Sequence, residues 1–204
     1  MVYARRYRKR SYRRRPISAR TVKAIVNKTV QKRSETKFKI LSQTTPFALT
    51  AGAVLDLDIT DLGQSVTQNG RIGNQVRWSG IYCKFALQSE TTMVSQCRII
   101  MYIPYDSDDT LGTGIQPMSL IDEDRFTILY DKTMSLNAHG LQGRIATLKK
   151  SFFKGMRKGI QSQWSSSTST TCTKNALKIA ICTNAASADK CTLMFQGRCY
   201  FKDY

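Results

Sequence analysis

Near the N-terminus, apolar residues recur at helical spacing: Val22, Ile25, Val26 and Val30, with Arg20, Lys23, Lys28 and Lys32 on the other faces. Pro16 and Ser18 supply start signals, so a short helix is expected there. After Ser34 the period drops to two, first where Phe38 and Ile40 alternate with Lys37 and Lys39, then at Val54, Leu55, Leu57 and Ile59 beyond a Gly52 turn. The pattern predicts strands near 37–43 with 53–59, then 74–88, 96–104, 125–130, 132–138, 144–153, 175–183 and 191–202. Counting the first two pieces as one interrupted strand gives eight. Between them lie turn-rich stretches at Asp106–Gly114, Asn137–Gly143, Gly155–Thr173 and Asn184–Lys190, and Pro117–Asp124 has room for a single helical turn. Many short strands without an internal repeat point to a sandwich or jelly roll, and away from propellers and solenoids.

Alternation also assigns the cysteines. Cys83 shares a strand face with Ile81, Phe85 and Leu87; Cys97 with Ile99, Met101 and Ile103; Cys191 and Cys199 with Leu193 and Phe195. With Cys172 and Cys182 they form no C-x-x-C pair, so all six are expected as free thiols, mostly small core residues, in a reducing compartment. Val76 and Trp78 have the opposite parity to Ile81, which requires a bulge near Ser79 and Gly80 or a strand buried on both faces.

Charge divides the chain. Net charge is +18, with 32 Lys and Arg against 14 Asp and Glu. Residues 1–39 hold 15 of the bases and one acid, Glu35, a net of +14; the remaining 165 residues hold 17 bases and 13 acids, a net of +4. The first 16 residues, MVYARRYRKRSYRRRP, have too little apolar surface to offset ordering entropy and are expected to be a disordered tail. The division predicted is a basic arm over 1–35, tail then short amphipathic helix, and a β domain over 36–204. No apolar run is long enough to span a membrane and no signal-peptide core follows the charged start, so secretion and membrane insertion are not expected.

An arm of this composition suits a polyanion. The candidate nucleic-acid-binding residues are Arg5, Arg6, Arg8, Lys9, Arg10, Arg13, Arg14, Arg15, Arg20, Lys23, Lys28, Lys32 and Arg33, together with Tyr3, Tyr7 and Tyr12. Each neutralised phosphate releases a condensed counterion, so binding would be salt-dependent and blind to sequence. Arg dominates the first 20 residues, which suits bidentate phosphate contacts, and interleaved tyrosines can stack on unpaired bases, favouring single strands. The same run could serve a nuclear import receptor of a host. The helix-like segment lacks Trp, Phe and Leu on its apolar face, which argues against membrane binding.

Asp106, Asp108 and Asp109, and Asp122, Glu123 and Asp124, form acidic clusters without EF-hand spacing, and read as solubilising loops or as partners for bases on a neighbouring subunit. No metal and no cofactor is expected. His139 is the sole imidazole and no nucleophile, P-loop or zinc motif is present, so no enzyme is expected.

Three stretches carry a family resemblance: the Arg/Tyr tail followed by ARTVKAIVNKTVQKRS and TKFKILS; NGRIGNQVRWSGIYCKFAL, through Gly73, Gln75, Val76 and Arg77; and DRFTILYDKTMSL, through Arg125, Phe126, Thr127, Leu129 and Asp131. In these the chain resembles the single-jelly-roll coat proteins of satellite tobacco necrosis virus and of small circular single-stranded DNA viruses. The third stretch is read as a hairpin turning at Asp131 and Lys132. The resemblance covers roughly two-thirds of the chain and ends near Leu148. It implies an all-β fold, one eight-stranded jelly roll of two four-stranded antiparallel sheets, B-I-D-G and C-H-E-F. It further implies a homo-oligomeric shell of sixty copies with arms inward, packaging a single-stranded genome. The Arg/Tyr start resembles that of the circular single-stranded DNA viruses more than that of the plant satellites, which implies DNA over RNA; the resemblance also implies a place in the virion, and in the host nucleus during assembly. The rival reading is a cellular nucleic-acid-binding protein with a basic extension.

Overall fold

The structure is a computed structural model that describes residues 18–33, 35–67, 69–89, 95–112, 114–136, 146–166, 168–185 and 191–203. The chain divides into two compact units, 1–34 and 35–204. In the first, α1 spans Ala19–Arg33. Ser18 caps it: the Thr21 N–H donates to Ser18 Oγ (3.2 Å) and the Val22 N–H to the Ser18 carbonyl (3.1 Å). Val22, Ile25 and Val26 fall on one stripe, each about half exposed.

Among the described residues the second unit holds nine strands: β1 Thr36–Leu49, β2 Val54–Asp58, β3 Gln75–Ser89, β4 Ser95–Pro104, β5 Phe126–Leu136, β6 Ala146–Trp164, β7 Cys172–Lys174, β8 Lys178–Thr183 and β9 Cys191–Asp203. They form two antiparallel sheets, ordered β1-β9-β3-β6-β7 and β2-β8-β4-β5. If the three-residue β7 is set aside and the other eight strands are lettered B to I in chain order, the sheets read B-I-D-G and C-H-E-F. That is a jelly roll, with β7 added at the edge of β6.

Several expectations need correction. The pieces near 37–43 and 53–59 are not one strand, because β1 and β2 lie in different sheets. Between them a tight corner, with the Ala53 N–H on the Thr50 carbonyl at 2.9 Å and Gly52 at φ +82°, turns the chain from one layer to the other. No hairpin turns at Asp131 and Lys132. β5 runs straight through them, Asp131 opposite Ile100, because β4 offers it a full-length partner; the irregularity sits earlier, where Leu129 is the extra residue between Tyr130 and Ile128. The stretch from Gly155 is not a loop until after Trp164: β6 keeps its pairing with β3 on both sides of a wide bulge, with Gly159 at φ +64°. Pro117–Asp124 folds as reverse turns without a helical turn.

The bulge expected at Ser79 and Gly80 is present, and β3 slips by one residue there against both neighbours. It lets Trp78 face inward with Ile81. The indole N–H of Trp78 donates to Ser162 Oγ (2.9 Å), whose hydroxyl donates to the Asn175 carbonyl (2.7 Å). β1 is an edge strand, and its register shifts between Gln43 and Phe47, where Pro46 has no N–H to offer.

The main core fills the space between the sheets, with Trp78, Ile81, Leu87, Ile99, Leu193, Phe195 and Phe201 fully or almost fully buried. All six cysteines are buried and free, Cys83, Cys97, Cys191 and Cys199 on the inward faces that their parity predicted. A second, smaller core lies on the far side of the four-stranded sheet, where Ile100, Tyr102, Phe126 and Ala180 pack against Leu111, Ile115 and Ile121 of the β4–β5 connection. The four-stranded sheet is thus covered on both faces.

Candidate nucleic-acid interface

Of the residues assigned to nucleic acid from sequence, Tyr3, Arg5, Arg6, Tyr7, Arg8, Lys9, Arg10, Tyr12, Arg13, Arg14 and Arg15 lie outside the described residues, as does His139. Arg20 and Lys23 stand exposed on α1, and Lys28, Lys32 and Arg33 belong to the same helix. No described helix is long and apolar enough to cross a membrane.

Lys37 and Lys39 correct the picture of the arm. Counted among its cations, they sit in β1 with inward parity, opposite Phe201 and Cys199. Lys37 is 4% exposed, its Nζ on the Gly70 carbonyl (3.0 Å) and 2.9 Å from the Asp203 carboxylate. Lys39 Nζ reaches the carbonyls of Asp58 and Asp61, and burial lowers its pKa. Residues 1–34 keep 13 bases and no acid, +13. With the lysines turned in, Phe38 and Ile40 face out.

The body's modest charge conceals a division between its sheets. The strands of the five-stranded sheet hold twelve Lys or Arg against one acid, Asp203, a formal net of +11. Those of the four-stranded sheet hold Arg98, Lys132 and Lys178 against Asp56, Asp58 and Asp131, a net of zero. Ten further acids lie in connections of the second unit. Averaging over the chain hides this; strand parity and strand composition were the available signal.

Two of the three bases of the four-stranded sheet, Arg98 and Lys178, are engaged internally, while Lys132 is exposed. Arg98 forks onto Asp131, Nε to Oδ1 at 2.7 Å and Nη2 to Oδ2, while Nη1 donates to the carbonyls of Pro117 (3.3 Å) and Ser119 (2.5 Å). Lys178 Nζ donates to the Asp109 carbonyl (2.8 Å), and Arg125 pairs with the Asp109 carboxylate (3.0 Å). Three of the six clustered carboxylates find partners in their own loop: besides Asp109, Asp106 and Asp122 accept the N–H groups of Asp108 and Asp124 (3.2 and 3.0 Å). Arg71, missed in the sequence, is fully buried. It donates to the carbonyls of Leu62, Gly73, Ser166 and Ser169 and stacks 4.7 Å from the Trp164 ring centroid, tying the β2–β3 connection to the β6–β7 connection.

Burial disfavours the thiolate form at five of the six cysteines. Burial pushes Cys83 up to about 12 and Cys182 up to about 11, and raises Cys97, Cys172 and Cys199 as well.

No family model and no curated protein matches the chain. Solved structures of viruses are weakly similar to the chain. A chain of Desmodium yellow mottle tymovirus is 10% identical, with 100% of this chain and 93% of that one covered and a TM-score of 0.38. For turnip yellow mosaic virus the figures are 11%, 83%, 82% and 0.37. For broad bean stain virus they are 13%, 80%, 84% and 0.32.

Proposed function

We propose that the chain is a virus capsid protein, a basic arm over 1–35 joined to a jelly-roll shell domain over 36–204, that assembles into a closed homo-oligomeric shell around single-stranded nucleic acid. The observation that carries the reading is the pairing of a B-I-D-G/C-H-E-F sandwich with a formal excess of positive charge in the strands of one of its sheets and in the N-terminal unit. A shell protein needs one side that tolerates a concentrated polyanion and another that does not. Met118 and Leu120, 79% and 98% exposed on the β4–β5 connection, are apolar side chains suited to contact between copies.

In this reading the shell has sixty copies and the genome is DNA. The arm's Arg and Tyr side chains bind it by counterion release and stacking, and the same basic run engages a host import receptor that brings the protein to the nucleus for assembly. Sixty arms of +13 would carry about 780 positive charges against one negative charge per nucleotide, enough to neutralise a small genome or part of a larger one.

Sedimentation and negative-stain microscopy of the purified full chain, alone and with single-stranded DNA or RNA of equal length, test the reading. Uniform closed particles holding nucleic acid are expected, with uptake falling as salt rises. A protein that stays monomeric or dimeric under all of these conditions is instead the cellular binding module with a basic extension.

A further inference from the structure

The outward face of the five-stranded sheet carries one aromatic side chain on each of four adjacent strands: Phe38 on β1, Tyr200 on β9, Tyr82 on β3 and Phe153 on β6. Register sets them in a row. Phe38 stands opposite Tyr200 and Tyr82 opposite Phe153, while Tyr200 pairs with Gly80, two residues from Tyr82 on the same face. A Cβ at Gly80 would come within 2.8 Å of the Phe153 ring, so the glycine is what lets that ring lie flat across β3. Phe153 is 64% exposed, although it is large and apolar and lies in the middle of a strand.

Cations flank the row. Arg198 lies 5.3 Å from the Phe38 ring centroid and Lys84 Nζ 5.9 Å from that of Tyr82; Lys149 follows on β6 opposite Ala86. Among the described residues no carboxylate shares this face, since Asp203, the one acid in these strands, is paired with Lys37 on the inner side. Three depressions of about 650, 420 and 550 Å³ cross it. The first shares Tyr82 and Tyr200 with the second, and the second shares Lys84 and Gln196 with the third, so they form one trough from Phe153 to Lys149.

We propose that this trough is a second nucleic-acid site, in which bases of a single strand stack on Tyr82, Phe153, Tyr200 and Phe38 while Lys84, Arg198 and Lys149 meet the phosphates. Phe153 is exposed and Phe38, Tyr82 and Tyr200 are half-buried, and rings set on a sheet in this way offer π-faces to any base, as in other sheet platforms that bind single strands, whereas paired bases are not available to them. Charge complementarity selects a polyanion over a second copy of this chain, whose corresponding face carries the same sign. The site rests on the capsid reading for its ligand but not on the arm for its chemistry.

The test photo-crosslinks the full-length protein to a bromodeoxyuridine-substituted single-stranded oligonucleotide and maps the adducts by mass spectrometry. Adducts on Tyr82, Phe153 or Tyr200 are expected beside those on the arm. Adducts confined to residues 1–34 overturn the site and leave the capsid reading standing; no retention of the oligonucleotide at all overturns both. Affinity measured at high salt, where the arm's contribution is suppressed, gives a second readout. Tyr82→Leu with Phe153→Leu should lower binding of single strands at least roughly fivefold while leaving duplex binding unchanged. Lys84→Gln with Arg198→Gln should reduce the salt slope by about 1.4. Folded variants that bind as the parent does at every salt concentration refute the proposal.

Discussion

The two sheets of the sandwich share one core and differ in what covers their other faces. The four-stranded sheet is overlaid by the 105–125 connection, which brings Leu111, Ile115 and Ile121 down onto Ile100, Tyr102 and Phe126. It is stapled there by Arg98, Lys178 and a Leu111 N–H on the Tyr102 hydroxyl (3.3 Å). The five-stranded sheet has no such cover among the described residues, and it presents rings and cations to solvent. Covering a sheet frees its outer positions to be apolar, and the strands show it: all six residues of β8 and the run Ile99–Tyr102 are buried. Leaving a sheet bare confines apolar residues to alternate positions unless something else is to sit on it, so the exposed Phe153 ring on β6, beside the half-buried Tyr82 on β3, is the feature that the proposed site accounts for.

The largest expected effect follows from cover alone. Phe126→Ala, beneath the connection at 4% exposure, should cost about 3–5 kcal/mol, whereas Phe153→Ala, a ring of the same size on the bare face, should change stability by no more than about 0.5 kcal/mol. Urea unfolding of the unassembled protein measures both. Equal losses would mean that the two faces are packed alike.

The same contrast explains how much was legible in the sequence. Period-two alternation located β3, β4 and β9 to within a residue or two and assigned Cys83, Cys97, Cys191 and Cys199 inward, because in those strands burial of one face dominates residue choice. Parity also exposed the Trp78 bulge. It failed where tertiary partners override local chemistry. Lys37 and Lys39 face in because Asp203 and three backbone carbonyls receive them, which reverses the meaning of Phe38 and Ile40. Asp131-Lys132 imitates a turn, but Arg98 takes the carboxylate and β4 takes the backbone. The strand from Gly155 to Trp164 is rich in Gly and polar residues and is held by β3, not by its own propensity. The arm's charge was legible at once; the sheet's +11 was not, because acids in the connections cancel it in any sum over the chain.

A middle-sized effect tests the staples. Arg98 is the one base in β4, its fork on Asp131 oriented by carbonyls of the connection. Arg98→Met keeps the stem and removes the donors, and should cost about 1.5–3 kcal/mol, the range for hydrogen bonds to charged groups. Hydrogen exchange should quicken at the Leu111 and Gly114 amides. Lys84→Met on the bare face, with no carboxylate to lose, should leave stability and exchange as they were. Unchanged exchange in Arg98→Met would mean that apolar packing alone holds the cover.

The smallest effect concerns the carboxylate that the cover traps. Asp56 on β2 accepts the Tyr102 hydroxyl at Oδ2 (2.7 Å), while its Oδ1 is buried without a hydrogen-bond partner among the described residues. Burial raises its pKa, with the Tyr102 hydroxyl and Lys178 pulling the other way. In the unfolded chain the group ionises near the ordinary carboxylate value of about 3.9. Between that value and the higher folded one, the native state keeps a proton that the unfolded state has lost. Unfolding therefore releases a proton, and this residue's contribution to stability is greatest at or below the unfolded pKa, falls as pH rises through the window, and is flat above the folded pKa. Asp56→Asn cannot ionise, so the stability difference between parent and variant should move in the parent's favour as pH drops from neutral through that window. The comparison isolates Asp56 from every other carboxylate, since those are common to both proteins. A difference that stays constant from pH 7 to pH 4 would show that Asp56 is as well solvated as a surface carboxylate, and that the cover over the four-stranded sheet is looser than its packing implies.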